Sequence, residues 1–369
     1  MRILILIFCL LPNYSFAQKK NKSNGVSFGM NYYGGKILIH TNKIHLNPPP
    51  YSSAFEISYN KQTLGNKDWH HRFGFPEVAL NSIFSMNGSK ELGNAIAFYP
   101  SIKFRILRLN KIEWYYKFGG GIGLASKHWN RTPYSDSMNN IIGSQVNNFT
   151  MFQTGIRYSI NPKWTAQAGL HFYHLSNAAA RSPNYGINTL GVNVGLNYHP
   201  KNEVTHFEKQ QLKKRKNPLN FNLASSIAFA EDKTPDGPLY PIFTGTASFI
   251  KMYKNKNRIM IGSDAIYNTR FRALIRNTFQ TNNNEFISTW QYTAFLGHEF
   301  LFGRVGFPLI AGAYLNRPLE GKKIYQKLGM NYHFHHPKEG TFKDVYLSLM
   351  LKTHLVQAQY AELGLGFFL

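Results

Sequence analysis

The sequence predicts an all-β protein, an antiparallel transmembrane β-barrel of about 14–16 strands. Three observations carry this reading. Apolar and polar residues alternate with a period of two in segment after segment. Many of these segments reach about ten residues, which suits the nine to eleven of a barrel span better than the five or six of a soluble strand. No apolar run approaches the roughly 18 residues of a membrane-crossing helix.

The chain opens with Met1 and Arg2, an apolar stretch from Ile3 to Leu11, and Ser15-Phe16-Ala17 before Gln18. A positive start, a short apolar middle and a small residue at the cleavage point read as a secretory signal peptide over residues 1–17. The single cysteine, Cys9, lies inside it and lacks the small neighbours of a lipoprotein site. The mature chain therefore has no disulfide and no thiolate metal site.

Strand segments follow at 26–40, 51–62, 76–88, 92–108, 111–125, 148–160, 163–176 and 187–199. A second set runs 219–230, 239–254, 257–269, 287–301, 303–315, 323–335, 343–355 and 358–369, the breaks being rich in Asn, Gly, Pro and Lys. With residue 26 starting in the periplasm, the outward links 126–147, 177–186 and 270–286 are long. Several inward links are tight, at Leu109-Asn110, Asn161-Pro162, Asn255-Lys256 and near Gly303. Long outer loops and short periplasmic turns are the asymmetry of an outer-membrane barrel. The links 63–75 and 200–217 break that rule. The last strand sets Leu363, Leu365, Phe367 and Leu369 on one face, which suits a closing strand.

The basic stretch 201–217 divides the strands into a first half, 18–200, and a second half, 218–369. It reads as a solvated periplasmic segment within one large barrel, or as the linker between two tandem eight-stranded barrels. A faint repeat, with Gly195 to Pro200 echoed near Gly329 to His333 and Tyr173-His174 echoed near Thr353-His354, fits either arrangement. Duplication of hairpins inside a single barrel is the preferred one. The second half carries no recognisable chemistry.

The formal charge is +24, and removing residues 1–17 takes away only Arg2. Such a balance calls for an anionic partner. A secretory signal and the lack of a recognition motif exclude nucleic acid, leaving membrane lipids, above all the phosphates of lipopolysaccharide. The loop Lys127-His128-Trp129-Asn130-Arg131 is a candidate phosphate contact. Trp69-His70-His71 and the group His333, His335 and His336 hold metal-ligating residue types, but no nearby carboxylate set completes either, so no metal and no cofactor is expected.

One segment carries chemistry. In 163–176, Trp164, Ala166, Ala168, Leu170 and Phe172 share a face with His174 and Ser176, while Thr165, Gln167, Gly169, His171 and Tyr173 share the other. The apolar face meets lipid, so His174 and Ser176 lie on the lipid side near the outer end. In the next strand Leu190, Val192, Val194 and Leu196 share a face with Asn188, which starts where the previous strand ends. Residues two apart on a strand lie about 6.5–7 Å apart at Cα, a span that His and Ser side chains bridge. A hydroxyl needs such a neighbouring base to become a nucleophile. The plain alternative is a polar cap at headgroup level.

The run 174–188, HLSNAAARSPNYGIN, resembles the active-site segment of the lipid A 3-O-deacylase (PagL) family in His174, Ser176, Asn177, Pro183, Asn184, Gly186 and Ile187. Asn139-Asn140-Ile141-Ile142-Gly143-Ser144 and Tyr99-Pro100 are similar to acyloxyacyl hydrolase-like outer-membrane proteins of Bacteroidetes-type bacteria. The resemblance implies a carboxylic ester hydrolase acting on lipid A in the cell outer membrane. It implies Ser176 as nucleophile, His174 as general base, and Asn177 and Asn184 as oxyanion or substrate-binding residues. The family's acidic triad member falls on Asn188, and no Asp or Glu occurs between 163 and 199. An amide can orient a histidine but cannot balance its charge, so the expectation is a slower enzyme, an acid donated from another strand or loop, or full loss of activity. The rival reading is a non-catalytic pore or structural barrel that retains a degenerate motif.

Overall fold

The computed structural model describes residues 24–47, 49–130, 138–208, 210–212, 218–231, 235–278, 289–316, 322–335, 344–355 and 357–369. The expected signal peptide, Arg131, His336 and part of the basic stretch lie outside them. The first eight strands are β1 (Val26–Ile37), β2 (Ser52–Gln62), β3 (Glu77–Met86), β4 (Asn94–Leu109), β5 (Ile112–Ala125), β6 (Val146–Asn161), β7 (Trp164–Ser176) and β8 (Ile187–Tyr198). The second eight are β9 (Leu219–Glu231), β10 (Leu239–Tyr253), β11 (Asn257–Asn268), β12 (Trp290–Phe302), β13 (Val305–Tyr314), β14 (Ile324–His335), β15 (Asp344–His354) and β16 (Gln357–Phe368). Among the described residues two helices complete the elements, α1 (Asp68–Arg72) and α2 (Thr269–Thr278).

All pairings are antiparallel, and the all-β barrel class holds. The preferred single barrel of 14–16 strands does not, because closure comes twice. β1 pairs with β8 from Phe28 opposite Tyr198 to Ile37 opposite Thr189, and β16 pairs with β9. The chain thus takes the tandem eight-stranded arrangement. The basic stretch joins the two barrels, and its first residues fold back onto the short-turn mouth of the first. There the Glu203 amide donates to the Pro162 carbonyl (2.7 Å), its carboxylate accepts from Ser159 (2.7 Å), and Phe207 packs on Phe75.

Face parity follows the sequence pattern. Along β7 and β8 the outward Leu170, Val192 and Val194 are exposed, whereas the inward Thr165, Gln167, His171 and Tyr173 are buried. An eight-stranded barrel is just wide enough for its own side chains, and here they are largely polar. Mid-barrel, Glu56 accepts from Lys117 Nζ (2.9 Å), Asn31 Nδ2 (2.9 Å) and the Tyr99 hydroxyl. Toward the short-turn end Arg157 bridges Glu77, Glu113 and Glu203. The second barrel repeats the device with Lys327 between Asp264 (2.9 Å) and Glu362 (2.8 Å), and with Arg258 between Glu299 and Asp344.

The two rule-breaking links and one long loop have structural reasons. The link 63–75 holds α1, whose Trp69 and following Phe73 pack on Phe302 of the second barrel, where Phe104 joins them. Lys256 adds a bond to the Arg72 carbonyl (3.0 Å). This link is thus half of a seam between barrels. The long link after β11 contains α2, whose start is capped by Asn268 Oδ1 accepting from the Arg270 amide (3.1 Å), with Ile275 buried.

The buried ion pairs set a testable stability. Lys117→Met would leave Glu56 charged without its cation, at a cost of about 3 kcal/mol or more. Adding Glu56→Gln should recover most of that loss. Unfolding in urea with detergent micelles, followed by heat-modifiable electrophoresis, reads both; a Lys117→Met barrel as stable as wild type would discount the network.

Candidate active site

The outer end of β7 brings the sequence-predicted residues together. His174 stands directly opposite Asn188 in the β7–β8 register, so their outward side chains meet. His174 Nε2 lies 2.7 Å from Ser176 Oγ, and His174 Nδ1 lies 2.6 Å from Asn188 Oδ1. Although on the lipid-facing parity, Ser176 is only 6% exposed. Asn177 and Asn184 meet across the loop, the Asn177 amide donating to Asn184 Oδ1 (2.9 Å).

A residue the sequence reading missed completes the chain of contacts. His40, three residues beyond β1, sits with its Nδ1 3.1 Å from Asn188 Nδ2. An amide nitrogen only donates and an amide oxygen only accepts. With Nδ2 given to His40, Oδ1 faces His174 and takes the proton carried on its Nδ1. His174 Nε2 is then a bare acceptor for the Ser176 hydroxyl, the tautomer a general base needs. A signal for His40 existed: Phe28, Met30 and Tyr32 face outward on β1, and the same parity extended to His40 matches Asn188. Reading it required knowing that β1 borders β8.

The loop 177–186 owes its shape to local chemistry. Gly186 has φ +76°, and a Cβ there would stand 2.6 Å from His174 Cε1 and 3.1 Å from Ser176 Cβ. Only glycine lets the backbone pass over the pair this closely. The motif at 139–144 lies behind the loop. Ile142 forms an isolated bridge with Asn184, and the Ile141 carbonyl accepts from the Tyr185 (3.0 Å) and Gly186 (3.1 Å) amides. Gly143 fits because a Cβ would collide with the backbone of Ser182 and Pro183 at 2.6 Å. Asn140 reaches the other way, donating to the Lys43 carbonyl (2.6 Å) and accepting from the His45 amide (3.2 Å). The segment thus ties the loop bearing His40 to the loop bearing Asn184.

The histidine groups take other roles. His70 accepts the Gly65 amide on Nδ1 (3.2 Å), and burial pushes its imidazole below its ordinary value, in keeping with a neutral acceptor. His333, read as lacking carboxylates, in fact has Asp344 at 2.7 Å and Glu299 at 3.4 Å, brought there by strand pairing, with Arg258 among them. Among the described residues no group of three or more His, Cys, Asp or Glu could hold a metal ion. His354, the echo of His174, bonds the Ile324 carbonyl (2.9 Å), and the position two beyond it is Val356 in place of a serine.

Comparison with known proteins divides at the same boundary as the barrels. Residues 53–197 match the family model of lipid A 3-O-deacylase (PagL), and residues 217–369 match that of the acyloxyacyl hydrolase C-terminal domain. No curated protein matches the chain. Among solved structures, Neisserial surface protein A aligns over 48% of this chain and 99% of its own at 12% identity and a TM-score of 0.35. The outer membrane enzyme PagL aligns over 45% of this chain and 97% of its own, at 14% identity and a TM-score of 0.31. A mutant porin of Rh. blastica covers 93% of this chain and 99% of its own at 12% identity and a TM-score of 0.21. The first barrel belongs to the lipid A 3-O-deacylase (PagL) family, the second is an acyloxyacyl hydrolase C-terminal domain, and the chain is an outer-membrane ester hydrolase.

Proposed function

We propose that the chain removes an ester-linked acyl chain from lipid A, with Ser176 as nucleophile, at the lipid-facing outer end of β7. The observation that carries this is the Ser176–His174–Asn188 line, with contacts of 2.7 and 2.6 Å. A substrate that diffuses laterally in the bilayer meets such a site without leaving the membrane.

The chemistry follows from the contacts. Ser176 Oγ attacks the ester carbonyl carbon as its proton passes to His174 Nε2. The carbonyl π electrons move onto oxygen, giving a tetrahedral oxyanion. Asn177 and Asn184 are the donors nearest in the chain to receive it. Since the Asn177 amide holds the Oδ1 end of Asn184, the Nδ2 end is what Asn184 offers. A pre-placed donor of this kind is worth about 3–4 kcal/mol in the transition state. Collapse expels the sugar hydroxyl, which takes the proton from His174, and leaves the acyl group on Ser176. Water, deprotonated by the same nitrogen, then cleaves that ester and frees the fatty acid.

Asn188 sets the pace. A hydrogen bond to a charged group contributes about 1 kcal/mol more than a neutral one, roughly a fivefold to tenfold change in rate. The amide gives up that charge balance, but His40 keeps it in the orientation that protonates His174 Nδ1.

The first test is mass spectrometry of lipid A incubated with the folded chain in detergent. Wild type should remove one acyl mass and Ser176→Ala none; removal by both would acquit Ser176, and removal by neither would overturn the deacylase reading. A second test separates His40 from Asn188. Asn188→Asp should raise kcat about tenfold through the charge it adds. His40→Ala should slow the parent enzyme by a similar factor yet leave Asn188→Asp nearly unaffected, since a carboxylate presents an oxygen whichever way it turns. Equal losses in both backgrounds would remove His40 from the mechanism.

A further inference from the structure

The loop that carries Asn177 and Asn184 is expensive to hold. Ala178 and Ala179 stand at φ +55° and +63°, next to each other in the left-handed region. Each such residue costs about 1 kcal/mol or more and persists where surroundings over-determine it. The first barrel supplies part of the hold through residues 139–143. A further part comes from the second barrel.

At the outer end of β9, Glu231 turns both its backbone and its carboxylate onto this loop. Its amide donates to the Ala180 carbonyl (3.1 Å). Oε1 accepts from Arg181 Nη1 (2.9 Å) and Oε2 from the Ser182 amide (2.6 Å). Arg181 Nη1 also reaches the Gly237 carbonyl (3.3 Å). The Glu231 side chain is fully shielded, whereas that of Arg181 is 42% exposed. A buried carboxylate requires donors, and each oxygen of this one bonds a donor from the active-site loop. The Arg181 backbone continues inward: its carbonyl accepts from Asn177 Nδ2 (3.0 Å) and its amide donates to Asn177 Oδ1 (3.4 Å). From Glu231 to Asn177 there are two steps, and from Asn177 to Ser176 one peptide bond.

We propose that Glu231 of the second barrel is a positioning residue for the active site of the first, holding the loop 177–186 so that Asn177 and Asn184 face the oxyanion. The proposal rests on the Ser176 reading and gives the second barrel a part in the reaction without chemistry of its own. Loss of the clasp lets the two asparagines drift while the Ser176–His174 pair on β7 stays in place. A displacement of about 1 Å costs up to a hundredfold in rate, and it falls on the transition state more than on substrate binding.

The test uses the full chain in detergent with lipid A as substrate. Glu231→Ala should lower kcat tenfold to a hundredfold with KM changed less than threefold, and Glu231→Asp should return part of the loss. The exchanged pair Glu231→Arg with Arg181→Glu should be more active than either single variant. Where Glu231→Ala fails to give a heat-modifiable barrel, Glu231→Gln replaces it in the same comparison. Hydrogen exchange provides a readout independent of turnover: amides of 177–186 should exchange faster in the variant while those of β7 and β8 hold. A variant with wild-type kcat and wild-type exchange overturns the clasp, as does a rise in KM alone. Wild type that cleaves no lipid A, yet whose loop loosens on Glu231→Ala, would preserve the clasp and sink the deacylase reading instead.

Discussion

In hydrocarbon every backbone N–H and C=O must find its partner within the protein, so a sheet in a bilayer has to close. Here it closes after eight strands, through the pairing of β1 with β8, and most of the remaining structure follows from that. An eight-stranded barrel leaves space for side chains and little else. Glu56, Lys117, Arg157 and their partners fill its middle and short-turn end with ion pairs shielded from water, and an apolar cluster that includes Phe149, Met151 and Leu175 fills the rest. A site for a lipid substrate therefore has to be built on the outside. The same pairing carries the chain leaving β1 alongside the start of β8, which brings His40 to Asn188.

Strand positions and faces were legible because the period of two is enforced residue by residue: lipid on one side, packed polar groups on the other. That sufficed to put His174, Ser176 and Asn188 on one face, and antiparallel neighbours made their meeting inevitable. Closure was another matter. Sixteen alternating segments satisfy one barrel or two equally well, since alternation specifies which way a side chain points and not which strand lies beside the first. His40 was lost with that ambiguity, because in a single barrel β1 would border β16. Glu231 was lost for the same reason: its partners, Ala180, Arg181 and Ser182, belong to the other barrel. The helices α1 and α2 hid in stretches that read as loops, α1 being only five residues long.

The amide at 188 changes what holds the histidine. A carboxylate attracts the Nδ1 proton by charge and is indifferent to rotation about its own axis. An amide orients by hydrogen bonding alone and is wrong in one of its two orientations, in which Nδ2 would face Nδ1 and no bond could form with the tautomer required. The protein meets that requirement with a second histidine rather than a second acid. Lys43, His45 and Asn140 extend the same logic, since they brace the loop on which His40 is carried. With an amide at 188, orienting His174 is a matter of geometry more than of charge, and the outer loops supply that geometry.

Geometry also explains how two barrels come to act as one. Lipid tails are as apolar as the strand faces, so burying one barrel against the other gains little from the hydrophobic effect. Association has to come from close packing and from polar contacts. Among the described residues aromatic packing dominates the short-turn end, with one bond from Lys256 to the Arg72 carbonyl beside it, and polar contacts hold the outer end. Near the short turns, Phe73 stacks on Phe302 with ring centroids 4.1 Å apart, and Phe118 meets Phe307. At the outer end the Glu231 clasp is the polar counterpart, reinforced where Arg270 of α2 donates to the Glu231 carbonyl (3.5 Å). Because that clasp is made to the active-site loop itself, docking of the barrels and ordering of the loop are one event. A linker alone would keep the barrels in company; the Glu231 contact, among the described residues, also ties the second barrel to the loop beside Ser176.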